Sequence, residues 1–556
     1  MGAAADSQRL SRALAVAAVG AGVVTVLVRL AAFNGFENDH FMHVAWAQQL
    51  ALGALPGRDF VEPGMPLAIL LSALAQLVWP GFLAEAALGA ACLGVAGALV
   101  CAVTGQLTRS VGWGLAAGVI PLASYPRLYS YPKVLVPAVA LWLVVRYTRH
   151  RSVRGLWLLA LWSVVAFLLR HDLGVMTAVA IVAAILVDAA LPLRARMASV
   201  FRFVAMGLLL VSPYLLYLQW AEGVAEHVRV ATEFGKGEQH QLLITGPSLF
   251  PGPDERVVSV GGWVFSAEAI LFWLFSALTV ALALWVAGAY RRPEAVAVTA
   301  LVALAVAYRL VILRYPLRAR LPDGAAVAAV AAAWASYLWL AMVRRVRLAR
   351  PALALGLAAA GLCVGFAAVA STWSVVNLSD RWAQAGLERG PRGVLINLRD
   401  LLRDAHRGSW RPYWPSGDEP PVIDYLTRCT NGTDRLLVTW FAPEYYVFST
   451  RGFAAGHALF LPSSFATERD QALMLARLAT ESVPVVLINE TEHQAFARAF
   501  PLVAAYVASR YTVGPRFRHN DDQVIGVAFR NDLTPPPTPD ATPWPCGSSG
   551  PGSRKS

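Results

Sequence analysis

Charged residues are scarce in this chain: they make up 15% of its 556 residues, against 57% hydrophobic. No soluble globular domain has that balance, so the class indicated is a multi-span membrane protein. Acidic residues are scarcer than basic ones, 35 against 47, for a net charge of +12. No soluble platform of interleaved basic and aromatic residues accompanies the excess, which argues against nucleic acid as a partner. Cytoplasmic loops and anionic membrane lipids account for it more simply. Cysteine is rare as well: Cys92, Cys101, Cys363, Cys429 and Cys546 show neither metal nor disulfide spacing. The first three fall in apolar runs, and Cys429 and Cys546 would pair only if both lay in an oxidising compartment. No internal repeat is present.

What is abundant is apolar sequence. Runs occur at 13–33, 82–106, 113–124, 134–145, 156–169, 173–191, 203–220, 263–289, 295–313, 325–343 and 352–372. A helical span needs about 20 mostly apolar residues, because in lipid every backbone group must bond internally. The runs from 113, 134 and 156 are short by that measure. The first run exceeds the roughly 7–15 apolar residues of a signal peptide and reads as a retained anchor. Residues 66–79 are apolar but brief, and read as a re-entrant or interfacial helix. With that segment left out, the basic clusters at Arg9/Arg12, Arg109, 146–154, Arg194/Arg196/Arg202, Arg291/Arg292 and 344–350 all fall on one side. The positive-inside rule makes that side cytoplasmic. The expected topology is about 11 transmembrane helices, with the N-terminus inside and the C-terminal region outside.

Composition changes after about residue 374. Candidate strands at 435–441, 458–461, 483–488 and 524–529 alternate with helical patterns at 467–480 and 492–509. The expected domains are a transmembrane module over 1–373, with a first outer loop at 34–81, an extracytoplasmic α/β domain over 374–533, and a disordered Pro/Gly/Ser-rich tail over 534–556. The run W-F-A-P-E-Y-Y-V-F at 440–448 reads as a buried strand end rather than a carbohydrate-stacking face.

Candidate chemistry concentrates in the first outer loop, which packs Glu37, Asp39, Asp59 and Glu62 into a charge-poor half-chain. If 38–52 is a helix, Asp39, Met42, His43 and Trp46 share one face. A carboxylate there can take the proton of an attacking hydroxyl, while the bland alternative is a helix N-cap at Asn38 or Asp39. Asp59, beside Gly57 and Arg58, fits a turn as well as a ligand contact. Cations gather on the same side: Arg127 and Lys133, with Tyr131, in 125–133; Arg170 and His171 in 170–172; Arg314, Arg318 and Arg320 in 314–323. Three arginines on the outer side run against the positive-inside rule and suggest an anionic ligand. Guanidinium forks grip phosphate oxygens in pairs, and cations offset charge on a phosphate leaving group. Headgroup contact or snorkelling is the ordinary alternative. Asp39 and His43 have the spacing of a helix-borne metal pair, and His40 and His171 are further donors. No third ligand is fixed by spacing. A divalent metal ion therefore stays open, and no other cofactor is indicated.

The layout resembles that of the GT-C glycosyltransferases. Their first-loop pattern, "G-x-x-P-x-x-D-F-x-E-P-x-x-P-L" after an acidic residue, is matched by Asp39 and then Gly53, Pro56, Asp59, Phe60, Glu62, Pro63, Pro66 and Leu67. The Y-P-R-L-Y-S-Y-P-K segment, R-H-D-L-G and the late arginine loop follow in a similar order, so the resemblance covers about residues 13–372. It is to the bacterial protein mannosyltransferase and lipid A aminoarabinose transferase superfamily. In some of the latter a lysine follows the glutamate, where this chain has Pro63. The resemblance implies a GT-C-like polytopic enzyme of the bacterial plasma (inner) membrane. Such an enzyme moves a sugar, with inversion, from a polyprenyl-phosphate donor to a lipid, cell-envelope glycan or protein acceptor on the outer face. It implies catalytic roles for Asp39, as base, and Glu62, supporting acceptor or metal. Substrate-binding roles are implied for His43, Arg58, Asp59, Arg127, Tyr131, Lys133, Arg170, His171, Arg314 and Arg318. The competing class is a non-catalytic transporter or flippase of lipid-linked sugars, which would bury ionisable residues near the bilayer midplane of several spans. Here the acids cluster at a water boundary instead.

Overall fold

The structure, a computed structural model, describes residues 2–36, 38–237, 246–253, 255–260, 262–313, 317–406, 421–462, 464–519, 523–533, 544 and 546. Its helices run, in chain order, α1 (Gly2–Ala31), α2 (Asn38–Ala51), α3 (Pro66–Val78), α4 (Phe82–Thr108), α5 (Val111–Ala123), α6 (Tyr131–His150), α7 (Val153–Leu169), α8 (His171–Val187), α9 (Leu193–Ala221), α10 (Val224–Gly237), α11 (Ala267–Ala289), α12 (Glu294–Ile312), α13 (Leu317–Arg320), α14 (Ala325–Ala349), α15 (Pro351–Val376), α16 (Leu378–Gln384), α17 (Gly390–His406), α18 (Pro421–Cys429), α19 (Glu444–Ser449), α20 (Glu468–Leu478), α21 (His493–Ala499) and α22 (Pro501–Arg510). The strands are β1 (Val257–Val260), β2 (Trp263–Ser266), β3 (Arg435–Val438), β4 (Gly452–Phe453), β5 (Val485–Asn489), β6 (Tyr511–His519) and β7 (Gln523–Arg530).

Among the described residues, eight helical segments are long and apolar enough to cross a membrane, so the chain is a polytopic α-helical membrane protein. They are Gln8–Ala31, Phe82–Thr108, Leu128–His150, Leu193–Ala221, Ala267–Ala289, Glu294–Ile312, Leu317–Arg347 and Pro351–Val376. Helices α5, α7 and α8, counted among the spans from sequence, are shorter apolar helices, as is α3.

Two compact units are interleaved along the chain. The first comprises Met1–Phe33, Ala86–Pro213 and Gln239–Arg403, and the second Asn34–Glu85, Tyr214–Glu238 and Asp404–Ser556.

Among its described residues the first unit is helical apart from the β1–β2 hairpin, an antiparallel ladder whose second strand takes the start of the apolar run expected at 263–289. Serine hydroxyls cap its helices: Ser110, Ser152 and Ser266 accept from the backbone N–H groups of Trp113, Gly155 and Ala269, satisfying donors that a helix start leaves open. Small residues set the close approach of α1 and α4, since a Cβ at Gly94 would lie 2.5 Å from Val26 Cγ2. This is packing that lipid-embedded helices favour.

The second unit joins the loop after α1, residues 34–81, and α10 to the C-terminal domain. Its five-stranded sheet has the order β4-β3-β5-β7-β6. β3 pairs in parallel with β4 and β5, and β7 pairs antiparallel with β5 and β6. β5 is buried along its length, as a central strand covered on both faces must be. Leu437, Val486 and Ala528 from the sheet pack with Met474, Phe496, Phe500 and Val503 from α20 to α22. The register shifts between Val513 and Arg516, where Pro515 has no N–H to give the ladder.

Three local expectations need correction. The segment 458–461 is not a strand: Phe460 packs by ring contact against Phe496 and Phe500, and the edge position belongs to β4. The helix expected over 492–509 is split in two at Pro501, whose ring disfavours helical backbone in Phe500. The 440–448 run holds a short buried helix, α19, rather than a strand end. Near the C-terminus Cys429 and Cys546 form a disulfide. Beside it Trp544 is fully buried, and its carbonyl accepts from Arg428 Nη2 at 3.1 Å. The rest of the tail after 533 lies outside the described residues.

Candidate functional site

In the second unit, α2 forms over nearly the stretch its periodicity predicts. Asp39 stands in its first turn, inside the helix rather than at the capping position, where the positive end of the helix dipole favours a carboxylate. Met42 and Trp46 turn inward and are buried, while Asp39 and His43 are half-buried. The His43 ring lies 5.8 Å from that of Trp46. His40 is held elsewhere: its Nε2 is 2.9 Å from Glu85 Oε1, and Ser72 donates to the other Glu85 oxygen at 2.7 Å.

The two acids of the following loop have opposite environments. Asp59 accepts from the Leu55 N–H at 2.8 Å and pairs with Arg58 through two hydrogen bonds. The Arg58 bond, aided by the Leu55 N–H, holds its carboxyl below the usual range. Glu62 is 1% exposed. Its carboxylate accepts from the N–H groups of Gly64 and Met65. Burial pushes it up to about 7 despite these bonds and a nearby His227, because a carboxylate loses more by desolvation than two amides return.

A chain of polar groups that the sequence did not single out adjoins Glu62. The Tyr214 hydroxyl hydrogen-bonds to the Glu62 carboxylate and lies 3.5 Å from His227 Nε2. The other imidazole nitrogen, Nδ1, is 2.6 Å from Glu222 Oε1. Tyr217 donates to the Pro56 carbonyl at 2.6 Å. Gly57 takes a positive φ of 76°, and a Cβ there would meet Glu222 Oε1 at 2.8 Å, so only glycine fits. Read in sequence, Tyr214 and Tyr217 belong to an apolar run and His227 to a long loop. The one available signal was the repeat of ionisable residues at Glu222, Glu226 and His227.

In the first unit three of the sequence-predicted cations, Lys133, Arg170 and Arg320, lie near one another. Lys133, in the first turn of α6, is buried and donates to Asp323 Oδ2 at 2.6 Å. Tyr308 donates to the Lys133 carbonyl, also at 2.6 Å, fixing that turn. The charges of Arg170 and Arg320 bear on Lys133 as well. Arg170 donates to Asp172 Oδ1 at 2.8 Å. His171 stacks on Phe167 with ring centroids 4.1 Å apart. Arg127 donates to the Tyr129 hydroxyl at 2.7 Å, Tyr131 is buried beside Lys133 in the chain, and Arg318 is exposed on α13. Asp323 is the partner missed from sequence, 190 residues from Lys133. Arg314 and Glu37 lie outside the described residues.

The described residues form no site for the metal left open by sequence. Among the described residues no group of three or more His, Cys, Asp or Glu side chains could hold an ion. His40 is occupied by Glu85.

No family model matches the chain, and no curated protein does. Among solved structures, the crystal structure of ArnT from Cupriavidus metallidurans bound to undecaprenyl phosphate overlaps it with a TM-score of 0.45 and 13% identity. The overlap covers 92% of this chain and 97% of that one. It is too distant to transfer residues or activity.

Proposed function

We propose that the protein is an integral membrane glycosyltransferase of the GT-C type, working at the outer face of a bacterial plasma membrane. It moves a sugar from a polyprenyl-phosphate donor to a lipid, envelope glycan or protein acceptor, with inversion. The observation that carries this reading is the cationic cluster of the helical unit, in which buried Lys133 pairs with Asp323, half-buried Arg170 pairs with Asp172, and the charges of Arg170 and Arg320 bear on Lys133. Cations held in place before the reaction stabilise a phosphate leaving group without reorganisation. The first-loop acids supply the complementary chemistry. Asp39 removes the acceptor hydroxyl proton as that oxygen bonds to the anomeric carbon. The bond from that carbon to the phosphate oxygen breaks, and its electron pair leaves with the polyprenyl phosphate. Lys133, Arg127, Arg170, Arg314 and Arg318 hold the departing phosphate. Tyr131 and His171 border that group, while His43, Arg58 and Asp59 contact sugar or acceptor. Glu62 orients the acceptor.

The test uses membranes carrying the full chain, a pool of polyprenyl-phosphate sugars and envelope extracts as acceptors, with released polyprenyl phosphate as the readout. Wild-type release that Asp39→Asn abolishes, at equal expression, supports the reading. Movement of lipid-linked sugar across vesicles without any release overturns it in favour of a transporter.

A further inference from the structure

Helix α17 belongs to the first unit as far as Arg403, and its last turn to the second. It carries Arg392, Arg399, Asp400, Arg403 and Asp404 in 17 residues, too many charges for a span. Yet it leaves Leu395 65%, Ile396 38% and Leu402 54% exposed. At 100° per residue, Val394, Leu398, Leu401 and Ala405 make the face turned to the protein, and Val394, Leu401 and Ala405 are buried. Leu395 and Leu402 flank that face on one side. Beyond them, on the same side, stand Arg392, Arg399 and Arg403. The acids Asp400 and Asp404 project from the other side, with Arg403 only 3.5 Å from Asp400 across the helix back. Going round the helix, the order is therefore core, leucine, arginine. This is the arrangement of a helix lying in an interface, with leucines reaching acyl chains and arginines meeting headgroups.

The surroundings set the depth of the helix. Asn397 Nδ2 donates to the carbonyl of Ala31, the last residue of α1, at 3.1 Å and to that of Gln384 at 2.7 Å. Preceding α16 is tied down too, because the Arg381 guanidinium sits 4.7 Å over the Tyr125 ring, whose ring also lies 3.7 Å from Arg29 near the end of α1. Trp373 in the last turn of α15 and Trp382 on α16 are about half exposed, as in an aromatic belt at a membrane boundary.

We propose that α17 lies in the membrane–water boundary and binds anionic phospholipid headgroups through Arg392, Arg399 and Arg403, with Leu395 and Leu402 inserted between acyl chains. The net positive stripe fits a negative surface, and a zwitterionic one gives it no comparable attraction. The helix thereby holds the chain leaving the last long span along the bilayer plane.

The test uses the full chain in nanodiscs of phosphatidylcholine alone or with about a third phosphatidylglycerol. Amide exchange over 390–406 is expected to slow at least threefold with phosphatidylglycerol, with salt reversing the effect. The Arg392→Gln/Arg399→Gln/Arg403→Gln chain should exchange alike in both lipids. Equal wild-type exchange in the two lipids overturns the headgroup claim. Should the triple variant fail to fold, spin labels at Leu395→Cys and Leu402→Cys, in a chain lacking its three free cysteines, decide the depth. Collisions with oxygen exceeding those with a water-soluble nickel chelate support insertion. The reverse ratio, as expected for a label at exposed Leu473 on α20, overturns it.

Discussion

Both units bury ionisable side chains, and they solve the resulting cost in different ways. In the helical unit, Lys133 meets the Asp323 carboxylate head on, with both side chains buried. In the mixed unit, Glu62 has backbone amides and a tyrosine for company, and its carboxyl is poised near neutrality at about 7. The first arrangement makes a fixed field, suited to holding a ligand of constant charge. The second makes a group whose proton is easily gained or lost, suited to following a reaction or the pH. Ion pairing and amide solvation are thus not interchangeable ways of burying charge.

The sharpest way to break the comparison is to remove one half of the ion pair. Lys133→Met leaves the Asp323 carboxyl buried without its cation, and a loss of about 3–5 kcal/mol of stability is expected. Transfer should fall below detection. Lys133→Met/Asp323→Leu removes both charges, so thermal unfolding in detergent should recover most of that loss while transfer stays absent. If the double variant regains transfer, the pair is structural and the fixed-field account fails.

A second, large effect falls mainly on activity. Asp39→Asn should lower transfer by about 10²–10⁴-fold, the range for a lost general base, with only a small fall in melting temperature, since a carboxylate at a helix start is worth about 0.3–1 kcal/mol. A fall of less than tenfold would remove Asp39 from the proton transfer.

Glu62 sharpens the comparison through pH. Its carboxyl is raised in the fold, so its stabilising contribution is full below about 4.5 and is lost as pH rises through about 7. From the shift, that loss is roughly 3 kcal/mol. Glu444, in buried α19, is also raised to about 7 by burial and adds a slope of the same sign. His457 is pushed by burial down to about 3, so it favours the fold above pH 6.5 and opposes that slope below it. Differences between variants isolate each group. Both Glu62→Gln and Glu444→Gln should flatten stability between pH 4.5 and 7 relative to wild type, as followed by chemical denaturation. Glu62→Gln alone should also shift the pH profile of transfer. An unshifted profile would separate Glu62 from the reaction and leave it a buried structural acid.

The sequence was informative wherever a signal is local. The period of 38–52 announced α2 and the face carrying Asp39, and the apolar runs announced the helices that became spans. Hidden features were those decided by partners far along the chain. Lys133 reads as one more cation until Asp323, 190 residues on, is seen beside it. Tyr214 and His227 read as span and loop until the end of α9 and the start of α10 meet the Pro56–Met65 stretch. α19 reads as a strand end because its aromatic residues have strand propensity, which burial against other elements of the second unit overrides. The amphipathic α17 escaped notice because its leucines and arginines alternate within a segment read for a soluble domain, where such residues imply nothing about lipid.

The smallest effect is expected three residues before Glu62, and it is informative because the chemistry is the same and the setting differs. Asp59 bonds to Arg58 at the surface of the loop, with roughly a third of its side chain and nearly half of the arginine's exposed. Water screens such a pair, and its contribution to stability is correspondingly slight. Asp59→Asn should leave the melting temperature within error, because asparagine can still accept from the Leu55 N–H. Any change in transfer should then appear in KM rather than kcat, as expected for uniform binding to sugar or acceptor. If Asp59→Asn instead lowered kcat as far as Asp39→Asn does, the exposed acid would be the one doing proton chemistry. The assignment of roles within the loop at 34–81 would then have to be reversed.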